Sequence, residues 1–171
     1  MKEEEGRSED QSGKEKLQGM VDITSKPPVY RRATATGSIR LKESTLMAMR
    51  RGEIKKGDPL ETARLAAILA VKETPRLIPF CHPIPITGLE VRFELEKMRI
   101  RAIVTVTSWG RTGVEMESLT GVAAALLNLW DMVKYLEKDE SGNYPETVIE
   151  EIRVLEKMKG GIAPDSVDES A

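Results

Sequence analysis

The stretch Leu77-Ile78-Pro79-Phe80-Cys81-His82-Pro83 holds the only cysteine and the only histidine of the chain. Imidazole is the side chain whose ordinary pKa lies near neutrality, so it can take or give a proton there. Pro79 and Pro83 fix φ on either side and remove two backbone donors. The residue before a proline is pushed out of helical geometry, so His82 is expected on a stiff, extended connector after an apolar run. The structural alternative is a loop whose cysteine packs as a small hydrophobe, and the stretch alone does not decide between the two. Adjacent Cys81 and His82 lack partners at zinc-ligand spacing, which speaks against a metal site.

Three further groups carry charge. Gly110-Arg111-Thr112-Gly113-Val114-Glu115-Met116-Glu117-Ser118-Leu119-Thr120 opens a long helical pattern. Two carboxylates fall in its first turn, where the helix dipole favours them. Capping alone would explain them, but the density of polar groups straight after an apolar strand points to a site. Asp131 and Lys134, spaced i, i+3, share one helix face. Leu126, Leu127, Leu129, Trp130 and Met132 around them are bulky and apolar, so the pair is predicted to be half buried with shifted pKa values. The alternative is an exposed ion pair of little value. Lys55-Lys56-Gly57-Asp58 sets two amines beside a helix start whose free N–H groups can hold an anion. Lys157 and Lys159, before Gly160-Gly161, add two more; a lysine exchanges protons near neutrality once burial lowers its pKa.

These groups need a scaffold, and the chain is long enough to build one. Its 171 residues suit a single domain, and 40% of them are apolar. A net charge of −2 and a pI of about 5.7 provide no field to recruit nucleic acid. One cysteine excludes an intrachain disulfide and suits a reducing compartment, so the expected location is cytoplasmic. No apolar run is long enough for a bilayer, and the start lacks the apolar core of a secretory signal. Residues 1–19 are almost free of large apolar side chains and read as a disordered extension. Residues 160–171 read as a flexible tail, which leaves 20–159 as the single domain. No internal repeat is present.

Within that domain the pattern alternates between periods. Tyr30 to Leu41 reads as a strand and Lys42 to Arg51 as a short helix closed by Gly52. Asp58 is the expected N-cap of a second helix, with Pro59 at its first position and Glu61 three residues after the cap. Leu60, Ala63, Ala67, Leu69 and Ala70 form its apolar stripe to about Lys72. Ile86 to Glu94 alternates, with Leu89, Val91, Phe93 and Leu95 on one side. A turn at Glu96 to Arg99 leads to a strand from Ile100 to Ser108, in which Ile103, Val104 and Val106 are available for burial. Glu115 to Lys138 is a long helix. Ile149 to Lys157 is a last strand, with Ile152 and Val154 on one face. The order β(α)αββαβ is that of an α+β, ferredoxin-like fold, an antiparallel sheet with helices packed on one face.

Five segments occur in a telling order: Met20-Val21-Asp22-Ile23, Lys56-Gly57-Asp58, Leu77 to Pro83, Thr112 to Thr120, and Asp131-Met132-Val133-Lys134. Together they resemble the cyclic pyranopterin monophosphate synthases, the C proteins of molybdenum cofactor biosynthesis, over Met20 to Gly161. The resemblance implies a ferredoxin-like catalytic domain, a homohexamer built as a trimer of dimers, and a lyase. Its substrate would be (8S)-3′,8-cyclo-7,8-dihydroguanosine 5′-triphosphate, and its products cyclic pyranopterin monophosphate and pyrophosphate. It further implies that Asp131 is the catalytic acid/base residue, with Lys56 and Lys134 linked to catalysis. Phe80, Cys81, His82, Met116 and Glu117 would bind substrate, Arg31 would contact phosphate, and Lys157 would belong to the site. The family's second C-terminal lysine is displaced here, which leaves Lys159 without a role. No metal or required cofactor is indicated, although Mg²⁺ can travel with a triphosphate.

Opening a purine ring and closing a pterin ring require proton transfers by groups matched to neutral pH. Expelling pyrophosphate requires cations. Two other classes fit the same architecture. A ferredoxin-like RNA-binding module needs basic charge and stacking aromatics, and the chain has two Phe and an acidic pI. A non-catalytic oligomeric small-molecule sensor would need the anion-binding ends but not the Asp131–Lys134 pair.

Overall fold

The computed structural model describes residues 19–160. Apart from Gly19 and Gly160, the expected N-terminal extension and C-terminal tail lie outside the described residues. The elements follow as β1 (Val29–Arg40), α1 (Glu43–Arg50), α2 (Pro59–Leu77), β2 (Ile86–Leu95), β3 (Arg99–Gly110), α3 (Glu115–Glu137) and β4 (Val148–Lys159). The sheet runs β2-β3-β1-β4 with every neighbouring pair antiparallel. This is the split β-α-β arrangement that the element order predicts.

Period-2 alternation makes β1 a central strand. Ala33, Ala35 and Ile39 join the core under the helices, while Thr34, Thr36 and Ser38 point to the other face and are buried there too. Thr34 and Thr105, opposite each other across β1 and β3, bring their hydroxyl oxygens to 3.0 Å. Small residues on the helix-facing side let α3 come close. A Cβ on Gly37 would lie 2.9 Å from side-chain atoms of Val122, Leu126 and Ile152. One on Gly121 would lie 2.8 Å from Val71 and 3.1 Å from Val104, so this helical glycine is where α2 crosses α3 against the sheet. Val122, Ala125, Leu126, Leu129, Met132 and Val133 of α3 complete the core. Among the described residues no helix is long and apolar enough to cross a membrane.

Helix α2 starts as expected: the Asp58 carboxylate accepts from Leu60 N at 2.8 Å and Glu61 N at 3.2 Å. Three details differ. Glu61 does not close a capping box; its carboxylate accepts from Arg64 at 3.4 Å. The helix continues past Lys72 to Leu77 with Pro75 inside it, although the proline cannot supply the N–H of an intrahelical bond. Thr74 there is fully buried and donates its hydroxyl to the Ala70 carbonyl at 3.1 Å. The buried stripe is Ala63, Ala67, Val71 and Thr74, and Leu69 points outward, 62% exposed. At 100° per residue Leu69 lies far around the helix from Ala67.

Both ends of α3 matter for the site. Spanning 23 residues, the helix is about 35 Å long. Its start follows directly on β3 and faces the end of β4. Its end lies beside the Ile54–Asp58 turn that precedes α2.

Candidate active site

At the start of α3, Val114 is the N-cap and supplies no side-chain cap. Glu117 does not cap it either. Its side chain turns inward, the residue is 2% exposed, and Oε2 has no hydrogen-bond partner. Burial pushes its carboxyl pKa up; the Glu115 charge adds to this, and a hydrogen bond from its own backbone N–H works against it. Glu115 faces the other way and accepts from Lys157 Nζ at 3.0 Å. Burial alone would raise the Glu115 carboxyl, but the Lys157 hydrogen bond, its own N–H and the Lys157 and Arg31 charges outweigh it and hold the group below its ordinary value. Two carboxylates two residues apart thus move in opposite directions.

The connector after α2 forms the facing wall. A turn closes where Cys81 N donates to the Ile78 carbonyl at 3.0 Å, and Ser108 Oγ donates to the Pro85 carbonyl at 2.7 Å. Between these two ties Phe80, Cys81 and His82 border a cleft of about 310 Å³ with Met116 and Glu117. Half-buried Cys81 has its thiol pKa raised, first by desolvation and then by Glu117. That is the opposite direction from the one that activates a thiolate, and Cys81 lines the cleft. A smaller hollow of about 80 Å³ adjoins the cleft across Gly113 and Glu115 and holds Arg31, Lys157 and Lys159. Arg31 is anchored by donating to the Gly110 carbonyl at 3.4 Å and the Arg111 carbonyl at 3.3 Å. The hollow is a cationic recess around one carboxylate.

The end of α3 is built differently. Lys56 Nζ donates to the Asp131 carbonyl at 2.7 Å and to Asp131 Oδ2 at 2.8 Å. Lys134 Nζ lies 2.7 Å from Oδ1. The Lys134 and Lys56 ammonium groups pull the Asp131 carboxyl down to about 2, and Asp131 raises Lys134 in return. The expectation of a half-buried pair is corrected here: the side chains of Asp131 and Lys134 are 54% and 47% exposed. Leu126, Leu129 and Met132 do point into the core, while Leu127 stands out at 62% exposure. Asp131 shares the outer side, in a shallow depression of about 420 Å³ bordered by Leu127, Trp130, Lys134 and Ile149. A second expectation is also corrected. The Leu60 and Glu61 amides at the α2 start are not free but donate to the Asp58 carboxylate, and Lys56 reaches across to Asp131.

The fold therefore gathers Phe80, Cys81, His82, Met116 and Glu117 in one cleft, sets Arg31 and Lys157 in the hollow beside it, and keeps Lys56, Asp131 and Lys134 apart. Glu117 and Asp131 are fourteen residues apart on α3, about 21 Å along the helix. Two residues escaped the sequence reading. Glu115 looked like a helix cap, yet it links both cavities. Asp22 accepts from Thr24 N at 2.8 Å; its pKa is lowered by Thr24 and, more weakly, by His82. Arg111 donates to the Thr24 carbonyl.

Comparison with known proteins supplies a family. Residues 20–160 match the model of the MoaC family. A protein of Methanospirillum hungatei named "probable cyclic pyranopterin monophosphate synthase" is 59% identical over 140 residues, 82% of this chain and 90% of the relative. One of the same name from Archaeoglobus fulgidus is 57% identical over 142 residues, 83% of this chain and 91% of the relative. A third, from Methanothermobacter thermautotrophicus, is 56% identical over 140 residues, 82% of this chain and 88% of the relative, and is named "probable cyclic pyranopterin monophosphate synthase accessory protein".

Proposed function

The chain belongs to the MoaC family and has that family's function, cyclic pyranopterin monophosphate synthesis in molybdenum cofactor biosynthesis; we propose that it performs this as a lyase whose site forms where two copies of the chain meet. The substrate is (8S)-3′,8-cyclo-7,8-dihydroguanosine 5′-triphosphate, and the products are cyclic pyranopterin monophosphate and pyrophosphate. The observation that carries this is the joining of a half-open cleft, bordered by Phe80, Cys81, His82, Met116 and Glu117, to a cationic hollow holding Arg31 and Lys157. A flat heterocycle with a phosphate tail needs such a pair of compartments side by side.

In this scheme the cleft binds the heterocycle, and Glu117 offers an unpaired buried oxygen to its polar edge. Arg31 and Lys157 hold the triphosphate and take up the charge that develops as a Pα–O bond to pyrophosphate breaks and the cyclic phosphate closes. Asp131, Lys56 and Lys134 move protons. A carboxylate held at about 2 is a weak base near neutral pH. A triphosphate that draws Lys56 and Lys134 towards itself would return Asp131 to a more basic value. No group beyond the Mg²⁺ a triphosphate can carry is needed.

Asp131 cannot reach a substrate seated at Glu117 of its own helix. Two α3 helices packed antiparallel across a two-fold axis would bring Glu117 of one to Asp131 of the other, making two equivalent sites. The exposed Leu127 and the depression beside Trp130 support that contact. We take the assembly to be a homohexamer, a trimer of dimers, acting in the cytoplasm with no nucleic-acid or membrane partner.

The test is incubation of the purified chain with the cyclic GTP derivative and identification of the product. Cyclic pyranopterin monophosphate is expected; no product from the chain alone, with stimulation of a second synthase, would make it an accessory protein. Mixing Glu117→Gln, weakened in affinity, with Asp131→Asn, weakened in turnover, under subunit exchange should give more activity at limiting substrate than the two variants give separately. Proven exchange without that gain would mean that each site is built within one chain.

A further inference from the structure

Lys56 sits on an exposed turn, yet its amine is held in one place. An ammonium group on a long, solvated side chain gains little from an exposed ion pair, so the Asp131 contact alone does not explain that placement. The backbone beside it is tied down. Lys55 N donates to the Tyr135 hydroxyl at 3.0 Å, and the Lys55 ammonium stands 5.4 Å from the centre of the same ring. Tyr135 lies one turn after Asp131 on α3, on the same face, so one helix face grips both the backbone before Lys56 and the amine of Lys56. The turn's own bond, Gly57 N to the Ile54 carbonyl at 3.1 Å, closes the turn on itself without attaching it to α3. On its two sides the turn is anchored by buried Ile54 and by the Asp58 cap, and Gly57, at φ 101°, supplies the reversal between them. The Tyr135 hydroxyl thus sets how far the turn stands from α3.

We propose that Tyr135 is a positioning residue for Lys56: by holding the Lys55 backbone it places the Lys56 amine on Asp131. This rests on the role proposed above for Lys56. A lysine placed in advance loses less on entering a reacting geometry, and small misplacements of such groups are costly to rate. The charged neighbours of Asp131 are Lys56 from this turn and Lys134 from its own helix, with Tyr144 near Lys134.

The experiment is a double-mutant cycle on the full chain, with Tyr135→Phe, Lys56→Ala and the double variant. Three quantities are read: the Asp131 carboxyl titration by NMR, kcat with the cyclic GTP derivative, and the melting temperature. Tyr135→Phe, which keeps the ring and removes the acceptor, should lift the Asp131 titration part of the way that Lys56→Ala lifts it and lower kcat about 10-fold. On the Lys56→Ala background Tyr135→Phe should change neither. Equal effects on both backgrounds would make Tyr135 a general stabiliser and overturn the proposal, as would an unmoved Asp131 titration in Tyr135→Phe. Lys55→Ala keeps the N–H and should leave that titration in place; a shift as large as that of Tyr135→Phe would move the role to the ammonium–ring contact and sink the proposal. A wild-type chain that makes no product would remove the assigned function, while the titration cycle would still decide whether Tyr135 places Lys56.

Discussion

One helix carries two carboxylates of opposite character. At the start of α3, Glu117 is enclosed, lacks a cation partner and is driven towards its neutral form. Near the end, Asp131 is open to solvent, clasped by two ammonium groups and held ionised. The dipole is no explanation. It favours a negative charge at the start, where charge is disfavoured, and opposes one at the end, where it is fixed. Burial dominates at the first position and direct pairing at the second. One end is therefore suited to holding a neutral heterocycle, and the other to meeting phosphate and moving protons.

Breaking the ionised end should have the largest effect. Asp131→Asn is expected to reduce turnover about 100-fold or more, while the melting temperature barely moves, as for an exposed site. Rate assays and melting curves on the same preparation decide this; a collapsed melting temperature with normal activity per folded molecule would make Asp131 structural.

The buried end should lose binding and gain stability. Glu117→Gln is expected to weaken substrate affinity about 10-fold, the scale of leaving a buried hydrogen-bonding group without its partner. The folded-state pKa of Glu117 lies above its ordinary 4.5, so the native state holds the proton more tightly than the unfolded chain. Stability is then lost as pH rises from about 4.5 through the raised value, and the penalty persists above it. The Gln variant should melt higher than wild type at neutral pH, and the gap should close as pH falls below 4.5. A variant that melts lower at pH 7 would show that burial does not penalise this carboxylate.

Lys134→Ala probes the clasp alone. The Asp131 titration should move from about 2 towards 3.8, followed by carboxyl NMR. The lowered value stabilises the fold above 3.8, and that contribution is lost as pH falls through about 2. Because the cluster is exposed, the melting curve should barely respond. The smallest effect is expected at the hinge between cleft and hollow. Glu115→Gln releases Lys157 from its 3.0 Å contact and removes the one carboxylate in the cationic recess, so pyrophosphate should bind up to about fivefold tighter by calorimetry. Weaker binding would mean that Glu115 orients Lys157 and does not compete for it.

Much of this was legible in the sequence because it is local. A period of two marks β1, β2 and β3, a helical period marks α2 and α3, and Asp58-Pro59 marks where α2 begins, since each pattern depends on neighbours a few residues away. The adjacency of Cys81 and His82, and their confinement by two prolines, is likewise a property of the chain. What the tertiary structure decided is which side of each element meets something else. Leu69 is as apolar as the stripe expected to include it, yet it faces water because Ala63, Ala67 and Val71 are the side that Gly121 lets near α3. Glu117 could have been a cap, and only the connector after α2 encloses it. Asp131 could have been half buried among its apolar neighbours, and only the Lys56 turn, seventy-five residues earlier, clasps it in the open. Burial and pairing are set by atoms that the chain brings together from far apart, so residue types and spacing define the candidates and packing defines their charge.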